Sequence, residues 1–314
     1  MKICDQDVET VLTKVFITGA DSFTGRYLTD ALEEQGCRVF GLTLTKPTKL
    51  NFFTGDLLNL DRLTEIITTC QPDIIIHLAA LTFVNHFDAE AFYKVNVFGT
   101  ENILMAIAAS RCNPQKIIVA SSANVYGAAG QGMVSEKTCP LPVNHYASSK
   151  LAMEHMVRTW YDKYPIIITR PFNYTGVGQD LHFLVPKIVE HYAKKEKFIE
   201  LGNINIQRDF SDVHDIVGAI LAILDSDIHS EIFNLCSGIP YSIQEIIANL
   251  NELAGYEINV KVNPDFIREN EIKCLVGDNS KLKKATNFSP TFSFKETLSE
   301  MYSARKTLNS SIGT

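Results

Sequence analysis

No stretch of this chain approaches the roughly 20 apolar residues that a bilayer-spanning helix needs. The first residues, MKICDQDVETVLT, hold no apolar core of signal-peptide length. Neither a membrane partner nor a secreted leader is therefore expected. Basic residues form no run, and the net charge is −7, with 36 acidic against 29 basic side chains. A nucleic-acid partner is not expected either. An anionic ligand would have to find its positive field locally, at helix N-termini and single arginines. The seven cysteines (4, 37, 70, 112, 139, 236 and 274) include no Cys-x-x-Cys pair, and the eight histidines are dispersed. That spacing offers no metal site. Free thiols in a reducing compartment, and so a cytoplasmic protein, fit it.

What the chain does have is alternation. Short β-branched runs at Val15–Thr18, Arg38–Leu44, Asp73–Leu78, Lys116–Ser121 and Ile166–Arg170 read as buried strands. Longer amphipathic runs at Phe23–Gln35, Asp61–Cys70, Ala89–Ser110, His145–Tyr164 and Leu184–Lys195 read as helices. Near-continuous apolar strands alternating with helices predict an α/β fold, a doubly wound parallel sheet of Rossmann type covered on both faces. After residue 170 the rhythm breaks into turn-rich pieces (NYTGVGQD, LGNINIQRD, CSGIPYS). The expected organisation is a nucleotide-binding domain over 14–170 and a smaller α/β substrate-binding subdomain over 171–310. Some later segments return to the main sheet, and residues 1–13 form an extension.

Val15-Phe-Ile-Thr-Gly19-Ala-Asp-Ser-Phe-Thr-Gly25 is a strand, a glycine turn and a helix start. Gly19 allows a tight turn, and Gly25 lets the helix pack on the strand. Ser22 stands where a middle glycine is usual, and the helix beginning at Phe23 aims its N-terminus at a pyrophosphate. A plain strand-turn-helix is the alternative. The second strand ends without the acid that would hold the ribose of NAD, while Thr43, Thr45 and Lys46 lie close by. This tilts the cofactor toward NADP, with NADPH favoured and NADH possible. Asp56, followed by Leu57, either meets the adenine or serves as an acid before the next helix. Leu78, Ala79 and Ala80 end a strand in mostly small residues, against which a cofactor ribose or simply a neighbouring element can lie.

The densest signal is Val119–Lys150: a Ser-Ser pair ending an apolar run, then Tyr146 and Lys150 spaced as Tyr-x-x-x-Lys. Four residues is about one helical turn, so both share a helix face. The cation is expected to draw the phenol below its usual pKa of about 10.

In order, TGADSFTG (18–25), GDL (55–57), HLAA (77–80), NVFGT (96–100), SSANVYG (121–127), YASSK (146–150) and RPFN (170–173) resemble the extended short-chain dehydrogenase/reductases that act on nucleotide sugars. The likeness runs from about residue 14 to 305. It implies Ser122, Tyr146 and Lys150 as the catalytic triad. It implies Asn96 as a helix-kinking residue that ties Lys150 to a water chain, and Asn173 and Arg208 as contacts to a substrate diphosphate. Pro171 joins the cofactor residues, and Val185 the substrate residues. RPFNYTGVGQ, FLVPKIV, LGNINIQRDFSDVHDIV, FNLCSG and IRENEIKCLVGDNSKL narrow the resemblance to the GDP-4-keto-6-deoxy-mannose reductases. On it Arg268 would bind diphosphate and Glu271 the nucleoside ribose, although two isolated charges on a helix are otherwise a solvated pair.

A 4,6-dehydratase needs an acid/base carboxylate beside the triad, and in the dehydratases related to the family this chain resembles it directly follows the Ser/Thr. Here Ala123 and Asn124 follow, and neither exchanges a proton near neutrality. That leaves reduction or epimerisation, and the resemblance implies reduction of the 4-keto group of a GDP-linked 4-keto sugar. Thr82, Asn85 and Asn124 are candidates for sugar hydroxyl contacts (for Asn124 a turn-forming role stands beside this), and Tyr174 and Thr175 could line the same cleft. A nucleotide-sugar 4-epimerase with tightly bound NAD is the alternative within the enzymes, and a non-catalytic nucleotide sensor the alternative outside them. The family's habit of pairing the helices at 89–110 and 145–164 implies a homodimer.

Overall fold

The computed structural model describes residues 12–47, 49–82, 88–129, 132–266 and 272–312. Seven strands form one sheet in the order Phe52–Thr54, Arg38–Thr43, Lys14–Thr18, Ile74–His77, Lys116–Ala120, Ile166–Pro171 and Glu231–Leu235. Every neighbouring pair is parallel. The chain starts in the interior of the sheet, winds to one edge, returns and winds to the other. The reversal falls between Lys14–Thr18 and Ile74–His77, the crevice where open sheets of this kind bind ligands.

Period-two alternation decides which side chains go to which face. Phe16, Ile75, Ile117, Val119, Ile166 and Ile168 pack with Leu63, Ile66, Ile103, Ile107, Met153 and Val157 from three helices on one side. Val15, Ile17, Ile76, Ile118 and Ile167 meet Leu28, Leu32, Ile216, Ile220 and Ile223 on the other. A third core forms from the helices Leu184–Ala193, Ile243–Ala254 and Phe294–Ile312. Beside it the strand Gln207–Asp212 pairs with Asn173–Thr175, Pro240–Ser242 and Cys274–Gly277. Cys274–Gly277 also takes Met133–Val134, so the first half of the chain contributes a strand to this smaller sheet.

The predicted strands are all present, with ends shifted by one residue at most. The helix expected at Leu184–Lys195 ends two residues early, at Ala193, and two others differ more. The run at 89–110 is an α-helix at Ala89–Tyr93, a π-helical turn at Lys94–Phe98 and a second α-helix at Gly99–Ala109. Such a wide turn inserts one residue into the helical ladder and commonly marks a functional position; Asn96 is its centre. The helix from His145 ends at Arg158 rather than Tyr164. Turns over 159–163 and a bend at Tyr164 replace its last stretch before the chain enters the next strand.

Candidate active site

Gly19 leaves the first strand at φ +71°, and a Cβ there would lie 3.1 Å from the Cα and N of Ala79. The two strand ends are thus pressed together at the switch point. A Cβ on Gly25 would sit 2.2 Å from the carbonyl oxygen of Gly19, so the helix can approach the strand this closely only with glycine there. Ser22 replaces the usual glycine without loss, because its Oγ caps the helix Phe23–Glu34 by accepting from the Gly25 N–H at 3.1 Å. The helix N-terminus faces the crevice, and these residues fit a dinucleotide pyrophosphate.

At the end of the second strand, the buried Thr43 turns its hydroxyl onto the Thr45 carbonyl at 2.7 Å. It is therefore not offered to a cofactor phosphate, while Lys46 is exposed. Asp56 does not cap the following helix, since Asn59 does that by accepting from Arg62 N. The exposed Asp56 carboxylate accepts from Leu58 N, and Leu57 is buried in the core.

His77 organises the opposite wall. Thr100 Oγ1 donates to the Asn96 carbonyl at 2.7 Å, so its single proton is spent and His77 Nε2 must donate to it, at 2.8 Å. Nδ1 is then the acceptor for Thr18 Oγ1 at 2.7 Å, and Thr18 accepts in turn from Ala79 N. Every hydrogen in this chain points from the crevice toward the π turn. Burial, helped by the charge of Lys150, drives the His77 pKa down to about 3 and keeps the ring neutral. Asn96, fully buried, closes the wall: its side chain donates to Leu81 O and Ser149 Oγ and accepts from Leu81 N.

Ser122, Tyr146 and Lys150 come together, all buried. Ser122 favours the Tyr146 phenolate, yet burial dominates and pushes the phenol up to about 12. The expected lowering by the cation is thus reversed, because a sealed site penalises the phenolate more than the neighbouring groups favour it. Burial also brings Lys150 down to about 8, with the Glu154 carboxylate opposing. Lys150 Nζ donates to Ala120 O at 2.7 Å. Ser122 Oγ accepts from both the main-chain and side-chain nitrogens of Asn124, each at 3.2 Å.

Tyr174 reaches across 150 residues to hydrogen-bond Thr24 at 2.7 Å, and its ring stacks on Phe23. It also influences Tyr146. Thr175 is buried against Gln179, whereas Asn173 and Thr82 are exposed. Leu78, Ala80 and Pro171 are half-buried at the ends of their strands. Val185 packs inside the third core, so a ligand could meet its main chain but not its side chain. Arg208 donates to Gln207 O from the strand that carries the buried Asp209. Asn85, Arg268 and Glu271 lie outside the described residues.

Sequence reading missed Glu154. Its two oxygens take Arg170 Nε at 2.9 Å, Arg170 Nη2 at 2.6 Å and Ser121 Oγ at 2.6 Å. Arg170 continues to Tyr126 Oη at 3.0 Å, and Tyr126 to Asn234 at 2.6 Å. The signal was available: positions 146, 150 and 154 repeat every four residues, so an acid at 154 shares the inward face of the tyrosine and lysine.

Fold and triad together define a nucleotide-dependent oxidoreductase of the short-chain dehydrogenase/reductase type. The chain belongs to the family described as GDP-mannose 4,6 dehydratase, which matches residues 16–301. It is 38% identical over 294 residues to the GDP-6-deoxy-D-talose 4-dehydrogenase of Aggregatibacter actinomycetemcomitans, covering 93% of this chain and 98% of that protein. It is 30% identical to the GDP-6-deoxy-D-mannose reductase of Pseudomonas aeruginosa, covering 91% and 94%. The solved structure of RMD from Pseudomonas aeruginosa complexed with NADPH superposes with a TM-score of 0.84 at 28% identity, over 95% of this chain and 98% of that one. Among the described residues no cluster of His, Cys, Asp and Glu is arranged to hold a metal ion, and no helix is long and apolar enough to cross a membrane.

Proposed function

We propose that this protein reduces the 4-keto group of a GDP-linked 4-keto-6-deoxy sugar with NADPH. The observation that carries the reading is the buried Ser122–Tyr146–Lys150 set at a Rossmann crevice, in a chain that places Ala123 and Asn124 where dehydration would need a carboxylate. When bound, NADPH supplies the hydride to C4. Tyr146, kept protonated by burial, gives its proton to the new alkoxide. Ser122 orients the carbonyl and shares the developing negative charge. Lys150 holds the nicotinamide ribose and steadies the tyrosine, while Asn96 fixes the helix beneath them.

Gly19, Ser22, Phe23 and Gly25 would hold the pyrophosphate, Lys46 the 2′-phosphate, and Asp56 and Leu57 the adenine. Leu78, Ala79, Ala80 and Pro171 would line the ribose and nicotinamide. Thr82, Asn85, Asn173, Val185, Arg208, Arg268 and Glu271 are assigned to the sugar nucleotide. We place the reaction in the cytoplasm, consistent with the free thiols of all six described cysteines. We also assign a homodimer through the helices at 89–109 and 145–158, where Phe98 and Met105 are exposed.

The test is the loss of reduced-nicotinamide absorbance when the purified protein meets GDP-4-keto-6-deoxy-mannose with NADPH or NADH. Stoichiometric oxidation is expected, faster with NADPH, and NMR of the product gives the C4 configuration. Absence of oxidation with both cofactors sinks the reading. Release of tightly bound NAD on denaturation would then favour the 4-epimerase.

A further inference from the structure

Asn124 is bonded to the oxygen of the serine that precedes it by two residues, and it supplies two donors there. Its main-chain N–H and its side-chain Nδ2 each lie 3.2 Å from Ser122 Oγ. A serine hydroxyl has one hydrogen to give and two lone pairs to receive with. Both lone pairs are engaged by Asn124, so the hydrogen has to point out of the turn. Tyr146, buried like Ser122 and subject to its electrostatic influence, is the neighbouring phenol that hydrogen can serve. We infer that Asn124 is a positioning residue that makes Ser122 a donor only, directed at the reacting oxygens.

The consequence follows from proton counting. A serine with a free lone pair could accept the phenolic hydrogen of Tyr146 and hold it away from the substrate. With its lone pairs filled, Ser122 can only donate, either to Tyr146 Oη or to a carbonyl oxygen placed between them. The tyrosine hydrogen then has one destination, the alkoxide that forms at C4. An amide nitrogen is suited to this task because it donates at every pH at which the enzyme works. A carboxylate in its place is an acceptor and would turn the Ser122 hydrogen back into the turn, leaving the serine oxygen free to capture the tyrosine proton.

This inference rests on the reductase reading, and Asn124→Asp separates the two. Aspartate has nearly the same shape, favours the same local turn and leaves the main-chain N–H in place, so a purely structural role for Asn124 predicts near-normal activity. The donor role predicts that kcat falls roughly 100-fold, the size of effect seen when one directed donor is lost at a developing oxyanion. The KM for NADPH and for the keto sugar should stay within about threefold. Asn124→Ala, which removes the donor without installing an acceptor, should lose less, roughly tenfold in kcat, and so rank between the wild type and Asn124→Asp.

Both variants should melt within a few degrees of the wild type; if Asn124→Asp does not, the Asn124→Ala comparison carries the test. An Asn124→Asp enzyme with more than a third of the wild-type kcat overturns the inference. So does a loss confined to sugar KM, which would make Asn124 a substrate contact instead. An inactive wild type in the same assay sinks the functional reading, not this one.

Discussion

Arg170 grips Glu154 through two of its nitrogens, at 2.9 and 2.6 Å, with both side chains sealed from solvent at 3% and 1% exposure. Arg170 lies next to last in the strand Ile166–Pro171 and Glu154 one helical turn beyond Lys150, so the pair ties the helix of Tyr146 and Lys150 to the sheet. Ser121 adds a third bond to the carboxylate, from the residue next to Ser122.

Removing one partner strands the other charge in the interior. Glu154→Gln or Arg170→Met should each destabilise the fold by about 3 to 5 kcal/mol, while a double replacement by apolar residues of similar volume should cost less than either single change. Denaturant melts of the three variants check this. Additive losses would show that the two side chains act independently.

Lys150 rather than Tyr146 is expected to set the alkaline edge of activity. Burial lowers its pKa to about 8, with Glu154 partly opposing, whereas the phenol sits up near 12. A charge that steadies the developing alkoxide is present below about pH 8 and lost as pH rises through it. The rate of keto reduction should fall over that range, and Lys150→Arg should move the fall upward, because arginine keeps its charge. A wild-type pH–rate profile flat well beyond pH 9 would contradict the assignment.

His77 gives the protein an acid-sensitive interior. Its pKa falls to about 3 on folding, by burial first and the Lys150 charge second. Above the unfolded value of about 6.5 its full contribution is present, and as pH drops toward 3 the unfolded chain takes up a proton that the native ring refuses. One unit below the unfolded value, near pH 5.5, that difference amounts to about 1.4 kcal/mol. Stability measured from pH 7 to 4 should therefore decline, and decline less steeply in His77→Gln after correction for its lower starting stability. NMR of the ring nitrogens should show a neutral side chain carrying its hydrogen on Nε2 across this range.

The proposed NADPH preference rests on an exposed lysine at a strand end that carries no acid. Lys46→Ala should reduce the NADPH-over-NADH ratio in kcat/KM by up to about fivefold, the worth of one exposed charge contact of about 1 kcal/mol. Thr43→Val should leave that ratio unchanged, since the Thr43 hydroxyl is bonded to Thr45 O. An unchanged ratio in Lys46→Ala would move the phosphate site elsewhere.

The sheet, its parallel sense and the sharing of one helix face by Tyr146 and Lys150 were readable because each depends on local pattern. Ile74–His77 and Lys116–Ala120 are apolar on both faces, as strands between two helical layers must be. Gly19 and Gly25 mark backbone approaches that no side chain would permit, and the four-residue step from Tyr146 to Lys150 is fixed by helix geometry. Burial and partnership are set by what lies far away in sequence. Glu154 looks like any helical acid until Arg170 and Ser121 close over it. His77 looks like the end of a strand until Thr18 and Thr100, 59 and 23 residues away, take its two nitrogens. The phenol of Tyr146 illustrates the same division: its neighbour's charge was visible in the motif, but the sign of its shift was decided by how little water the folded site admits, which only the packing of the whole chain determines.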